Sequence, residues 1–262
     1  MCRSSPSVFE PTSTHCKEVS NLAAYPCQYQ REPVDRTYPN VGAKFNMRSI
    51  KVGILGAGGF AKEVWWYCQS GRALGSKLRF EPVMFIDREA TDTPLKGLPV
   101  CALDDVPSDV LLLCGIGGMP EIKERVVKHA QNAGRRFAPA LIAEGARIGP
   151  GVSLGEGTIL CPGVIAAIDI SIGAHVAVNY DCTIGHDATI EDFATISPGA
   201  HVSGWVHLCR GAFLGTSSTI IEKLTVGNYA VLGAGAVALN DIPDYAVAVG
   251  VPATVKKFRS IE

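Results

Sequence analysis

Aromatic side chains supply only 7% of the 262 residues. That scarcity excludes a wide core filled by Phe, Tyr and Trp. Hydrophobic residues still make up 47% of the chain, so the interior must be packed from small aliphatic groups. A surplus of one charge is also missing: 24 Lys and Arg face 25 Asp and Glu, a net charge of −1. Nothing in that balance pulls the chain toward nucleic acid or an anionic membrane surface. No apolar run in the sequence reaches the length of a membrane span. The nine cysteines include no C-x-x-C pair, and their scattered spacing reads as reduced thiols in a cytoplasmic protein rather than a disulfide framework or a structural zinc site.

What the chain has is a repeat. Every sixth residue from Ile142 through Ile148, Leu154, Leu160, Ile184 and Ile196 to Leu232 and Ala238 is apolar. Of these 17 positions, 15 are Ile, Leu or Val, and the register never slips. Four residues after each stands a usually small side chain, as at Val164, Cys182, Ala188 and Ala200. Glycine often follows the large one, as at Gly149, Gly155, Gly173, Gly185, Gly215, Gly227 and Gly233. A period of six fits neither a helix nor an alternating strand. It fits a short strand, a tight corner and another short strand, with glycine expected to relieve an unusual φ at the corner. Three sides close a triangular coil of about 18 residues, and stacked coils bury one apolar column. Sandwich strands, bounded by turns at irregular spacing, would not hold this register. Residues 142–238 are therefore expected to form a parallel β-helix of hexapeptide repeats.

The flanking segments differ. Residues 1–46 hold five prolines, three cysteines and no apolar periodicity. They read as a disordered extension, with a start at Met47 as one explanation and a regulatory tail as another. Residues 47–141 read as a small Rossmann-like βαβ domain, giving an α/β plus all-β chain. A strand through Ile50, Val52 and Ile54 ends in Gly56-Ala57-Gly58-Gly59, before a helix from Phe60 to about Gln69. A second strand, Pro82 to Ile86, ends at Asp87. A third, Val110 to Cys114, ends in Gly115-Ile116-Gly117-Gly118, before a helix of about Pro120 to Gly134. Two glycine-rich turns at the carboxyl ends of parallel strands are where open α/β sheets bind phosphate-bearing ligands. Asp87 stands where a carboxylate meets a ribose or sugar hydroxyl. The domain is short for a full dinucleotide, so a nucleotide-sugar matches better than NAD. Residues 239–262 are expected to cap the open end of the solenoid.

The coil carries four histidines: His175, His186, His201 and His207. None is spaced from another as converging metal ligands require, so no metal is expected. Cys182 takes a small inward position and reads as packing. His186 stands two after the inward Ile184, faces outward and is followed by Asp187. An outward imidazole beside a carboxylate has the makings of a general base, although spacing alone favours a surface histidine with a chance neighbour.

The combination of Gly-Ala-Gly-Gly in a βαβ domain with Val178-Asn179, Ile184-Gly185-His186-Asp187 and Ile196-Ser197-Pro198-Gly199-Ala200 on hexapeptide coils resembles the sialic acid O-acetyltransferase family. That family includes the N-acetyltransferases of nucleotide-linked 4-amino sugars, and the resemblance spans about Met47 to Phe258. It implies a left-handed coil, a homotrimer with sites between subunits, and acetyl-CoA as co-substrate. The reaction it implies is N-acetylation of a nucleotide-linked amino sugar by direct transfer. A sugar or sialic acid O-acetyltransferase and a non-catalytic nucleotide-sugar-binding scaffold are the alternatives. By the same resemblance His186 and Asp187 are the catalytic pair, and Gly58, Gly59, Phe60, Asp87, Arg88 and Gly117 line the nucleotide-sugar site. Thr195, Gly204, Thr216 and Ala234 follow the acetyl-CoA groove, with the Gly204 N–H placed to polarise the thioester carbonyl. The chain departs from the pattern at Phe60-Ala61, where members often have His then Gly, and at Asp187, where Glu is common.

Overall fold

The computed structural model describes residues 48–76 and 78–260. The extension expected over residues 1–46 lies outside the described residues, as does Met47.

The first part is a five-stranded sheet. β1 (Ser49–Leu55), β2 (Arg79–Ile86) and β5 (Leu111–Cys114) each end in buried apolar residues, with α1 (Gly59–Cys68) after β1 and α2 (Pro120–Asn132) after β5. A hairpin, β3 (Thr91–Leu95) and β4 (Leu98–Cys101), extends the sheet to the order β3-β4-β2-β1-β5. All pairs are parallel except β3 with β4. The hairpin was not anticipated. Its signal is Lys96-Gly97, both at positive φ (52° and 79°), the backbone that a tight two-residue hairpin turn demands. α1 packs on one face through Ala61, Val64, Tyr67 and Cys68, and α2 on the other through Val127 and Ala130. Segment 136–138 runs beside β5, with Ala138 N–H donating to Leu112 C=O at 2.9 Å, and leads straight into the coil.

From Leu141 to Ala238 the chain forms two-residue strands at every sixth position. Each pairs in parallel with the strand one coil away: Ala177↔Thr195, Thr183↔His201, Thr189↔His207. The strands stack into three sheets, and the column between them is filled by the hexad residues from Ile142 to Ala238 together with Val164, Cys182, Ala188 and their equivalents. Only Ile148 and Leu154, on the outermost coil, stay half-buried. This is the β-helix that the repeat implied. After Ala238, Ile242 joins the column, strand Ala246–Val249 pairs with Val231-Leu232, and strand Thr254–Phe258 turns back on it.

The corners work differently from the sequence expectation. The glycines that follow the large residues do not have positive φ. They mark where successive coils touch: a Cβ on Gly149 would lie 1.8 Å from Ala167 O, and one on Gly185 or Gly215 would lie 2.5 Å from the backbone nitrogen of Gly204 or Ala234. The left-handed residue comes two positions later. It is glycine in some hexads but Asp169, His175, Asp181, Asp187, Phe193, Trp205, Ser217, Lys223 or Tyr229 in others, with φ between 51° and 64°. Phe193 points out of the coil and is covered by α2's side of the sheet to 4% exposure, between the ring of His175 and the guanidinium of Arg210.

Candidate active site on the coil

His186 sits on the corner between strands Thr183–Ile184 and Thr189–Ile190. Gly185 lets the next coil pass, and Asp187 takes the left-handed conformation (φ 57°). This geometry turns the two side chains toward each other, with Nδ1 of His186 2.8 Å from Oδ2 of Asp187. An ionised carboxylate only accepts, so Nδ1–H donates and Nε2 carries the lone pair. Both side chains are nearly half exposed, at 45% and 44%, which leaves Nε2 open to a substrate. One coil further on, Gly204 forms the floor under the imidazole: a Cβ there would meet Cε1 and Nε2 at 2.8 Å. Trp205 packs edge to face against it, with ring centroids 4.4 Å apart.

Gly204 occupies the same corner column as His186, one coil along. No hydrogen-bond acceptor engages its N–H among the described residues. An N–H in that state, beside a base, is suited to a developing oxyanion. Thr216 and Ala234 stack on a different corner, where Gly235 N–H donates to Thr216 C=O at 2.8 Å, and both are exposed. Within one chain they do not meet His186. Thr195 is a correction. It is 2% exposed, under α2, and its hydroxyl receives a hydrogen bond from Lys123 Nζ at 3.0 Å, so it lies in a buried seam rather than along an open groove.

That seam joins the sheet domain to the coil. Lys123 Nζ also donates to Ala194 C=O at 3.0 Å, and burial pushes its pKa down to about 7. Glu124 accepts from Arg210 at 2.7 Å, from Lys128 and from the Tyr229 hydroxyl. Burial would push its pKa up, but these donors outweigh that and hold it at about 2. His175, packed between Phe137 and Phe193, leaves both ring nitrogens without partners among the described residues, and burial, reinforced by the Lys123 charge, lowers its pKa to about 4.

The other histidines are engaged elsewhere. His201 Nδ1 is hydrogen-bonded to Thr183 Oγ1, and His207 Nε2–H donates to Glu191 Oε1 at 2.7 Å. Glu191, His207 and Cys209 bring donor atoms within 4.8 Å of one another. The second Glu191 oxygen accepts from Arg210 N–H, so protein donors already account for that carboxylate.

In the sheet domain Asp87 Oδ2 accepts from Ala57 N–H at 3.1 Å, tying the end of β2 to the first glycine turn. Gly58 and Gly59 face open space, and a Cβ on Gly117 would strike the Phe60 ring. A cavity of about 490 Å³ opens beside the strand ends, lined by Leu55, Ile86, Asp87, Arg88, Asp104, Arg125 and His129 among others. It takes in Asp87 and Arg88 from the sequence expectation, but Gly58, Gly59, Phe60 and Gly117 do not line it. Asp104, Arg125 and His129 were missed. The last two are four apart on α2, one face of a helix, which is the pattern that could have revealed them. Among the described residues no helix is long and apolar enough to cross a membrane.

No family model matches the chain. Matches to curated proteins are short. A dTDP-3-amino-3,6-dideoxy-α-D-galactopyranose 3-N-acetyltransferase from Aneurinibacillus thermoaerophilus is 47% identical over 49 residues, 19% of this chain and 26% of that protein. The chain thus matches about a quarter or less of its curated relatives' length. Solved structures match far more. WeeI from Acinetobacter baumannii is 30% identical with a TM-score of 0.69, covering 79% of this chain and all of that one. The acetyltransferase domain of PglB from Neisseria gonorrhoeae, solved with acetyl coenzyme A, is 29% identical with a TM-score of 0.70, over 79% and 100% of the two chains. A perosamine N-acetyltransferase variant from Caulobacter crescentus, solved with CoA and GDP-perosamine, is 28% identical with a TM-score of 0.69, over 79% and 97%.

Proposed function

The chain belongs to the hexapeptide-repeat acyltransferase family, and we propose that it transfers an acetyl group from acetyl-CoA to the 4-amino group of a nucleotide-linked sugar. The observation that carries the chemistry is His186, with Nδ1–H held by Asp187 and Nε2 open above Gly204. The sugar amine, in its neutral form, attacks the thioester carbonyl carbon. A C–N bond forms as the carbonyl oxygen gains charge, which the Gly204 N–H stabilises. Nε2 takes the proton from the attacking nitrogen. The C–S bond then breaks, and His186 returns the proton to the departing thiolate, giving amide and free CoA. No covalent acyl-enzyme is required. Cys182 is buried and burial raises its pKa to about 11, which leaves it a poor nucleophile.

The cavity beside Asp87, Arg88, Arg125 and His129 has a volume suited to a nucleotide and a mix of apolar walls and charged groups. CoA and GDP-perosamine bound to one structural neighbour, and acetyl-CoA to another, support this pair of ligands. The cavity contains no coil residue, and His186 stands on a different corner from Thr216 and Ala234. A site completed between subunits of a trimer accounts for both facts. Exposed Ile165, Ile168, Trp205, Ile221 and Leu239, on the sheet and corner around His186, supply apolar surface for that contact. Light scattering that finds single 27.7 kDa chains would remove the trimer.

The activity is tested by CoA release with acetyl-CoA and UDP-, dTDP- or GDP-linked 4-amino sugars. Wild type should release thiol with at least one of them. His186→Ala should lower kcat on the order of 10²–10⁴-fold, with little change in acetyl-CoA affinity. Near-wild-type kcat in that variant would overturn the assignment of the base.

A further inference from the structure

The His186 imidazole is nearly half exposed and is tethered through a neighbour, Asp187, that is equally exposed. One hydrogen bond from an adjacent surface residue leaves an imidazole free to swing, since exposed rotamers interconvert quickly. Two further contacts restrict it here. Gly204 lies under the ring. The indole of Trp205 stands against it at 88° with centroids 4.4 Å apart, the edge-to-face geometry that aromatic quadrupoles favour. Among the described residues Trp205 is the only aromatic ring in contact with His186.

Trp205 is itself held in place. Its backbone N–H donates to His186 C=O at 2.9 Å, and Lys223, whose backbone N–H donates to Gly204 C=O, lays its ammonium 5.3 Å from the indole centroid. Its backbone is left-handed at φ 55°, a conformation that penalises a bulky side chain and that glycine or asparagine would adopt more readily. Asp187 fills the same corner position one coil below. A large aromatic in this strained position, half exposed at 50%, contributes little to the coil's interior. Among the described residues its ring contacts are the imidazole and the Lys223 ammonium.

We propose that Trp205 is a positioning residue for the reaction, forming the wall that keeps Nε2 of His186 aimed over Gly204. This rests on His186 being the base. The indole touches no reacting atom; it raises the fraction of time in which the base points at the acceptor.

The test pairs Trp205→Gly, which suits the left-handed backbone, with Trp205→Phe, which keeps a ring; because Trp205 also belongs to the apolar surface of the subunit contact, both are assayed at concentrations where light scattering gives them the oligomeric state of wild type. Trp205→Gly should lower kcat several-fold, on the order of ten-fold at most, with the KM for acetyl-CoA unchanged. Trp205→Phe should recover most of the loss. A second readout does not depend on turnover. The ring current of an indole in contact shifts the proton resonances of its neighbour, so the His186 Cε1–H signal should move between wild type and Trp205→Gly at fixed pH. Wild-type kcat in Trp205→Gly, or a His186 signal that the substitution leaves in place, would overturn the proposal, while the loss of activity in His186→Ala would still stand. An active His186→Ala enzyme would instead sink the general base.

Discussion

Lys123 on α2 places its Nζ 3.0 Å from the Thr195 hydroxyl and 3.0 Å from the Ala194 carbonyl, inside the seam between sheet domain and coil. Both bonds survive when the amine is neutral, because an uncharged amine still has two hydrogens to donate. Burial lowers the pKa to about 7 from 10.5. Between those values the unfolded chain holds a proton that the folded chain lacks, so stability must rise with pH across that window. Measured against Lys123→Met, wild-type unfolding free energy should increase by about 1–2 kcal/mol from pH 7 to 9. A flat difference would show that the ammonium stays charged in the seam.

The two kinds of corner glycine should respond differently to a methyl group. Gly235 is left-handed (φ 65°) with open space around a Cβ, so Gly235→Ala carries only the backbone penalty, about 1 kcal/mol. Gly215 has an ordinary φ, but a Cβ there would sit 2.5 Å from the backbone nitrogen of Ala234. Gly215→Ala must push two coils apart and should cost more than roughly 3 kcal/mol. Urea unfolding of both variants separates strain from collision. Equal costs would refute coil contact as the reason for the second class.

Asp187→Asn keeps the shape of the side chain but replaces an acceptor-only carboxylate by an amide that can also donate. The imidazole then loses its fixed tautomer, and Nε2 is protonated for part of the time. The expected fall in kcat is about 10–100-fold, smaller than that of His186→Ala, with the melting temperature within about 1 °C of wild type because the carboxylate is 44% exposed. A loss equal to His186→Ala would make the two residues a single unit instead.

Much of this molecule was legible in its sequence, for a reason that varies by region. The coil was readable because one inward column fixes the register: a residue such as Ile184 has a single place to go. The position of Asp87 was readable because a strand end in a parallel sheet is a positional landmark, whereas Arg88 came only from the family resemblance; both line the cavity. The seam was not. Lys123 on a helix reads as a solvated side chain, and nothing local reveals that Thr195 waits opposite it or that the sheet domain covers Phe193. Arg125 and His129 escaped for the same reason, since charge on a helix face points to water until a cavity is found beside it. Nothing beside Trp205 in the sequence points to His186. Its relation to His186 is one coil plus one residue, and only stacking makes them neighbours.

The stacking also behaves like a screw thread. Residues one full coil apart share a corner, as His186 and Gly204 do, whereas residues one hexad apart fall on different corners. Six residues added between them would leave every inward aliphatic in step and the column filled. They would nonetheless turn all that follows by a third of a revolution, carrying Gly204 out from under the imidazole. Length can therefore change in whole coils without disturbing the phase of the site. A single extra hexad would yield a sound scaffold whose catalytic parts no longer face one another.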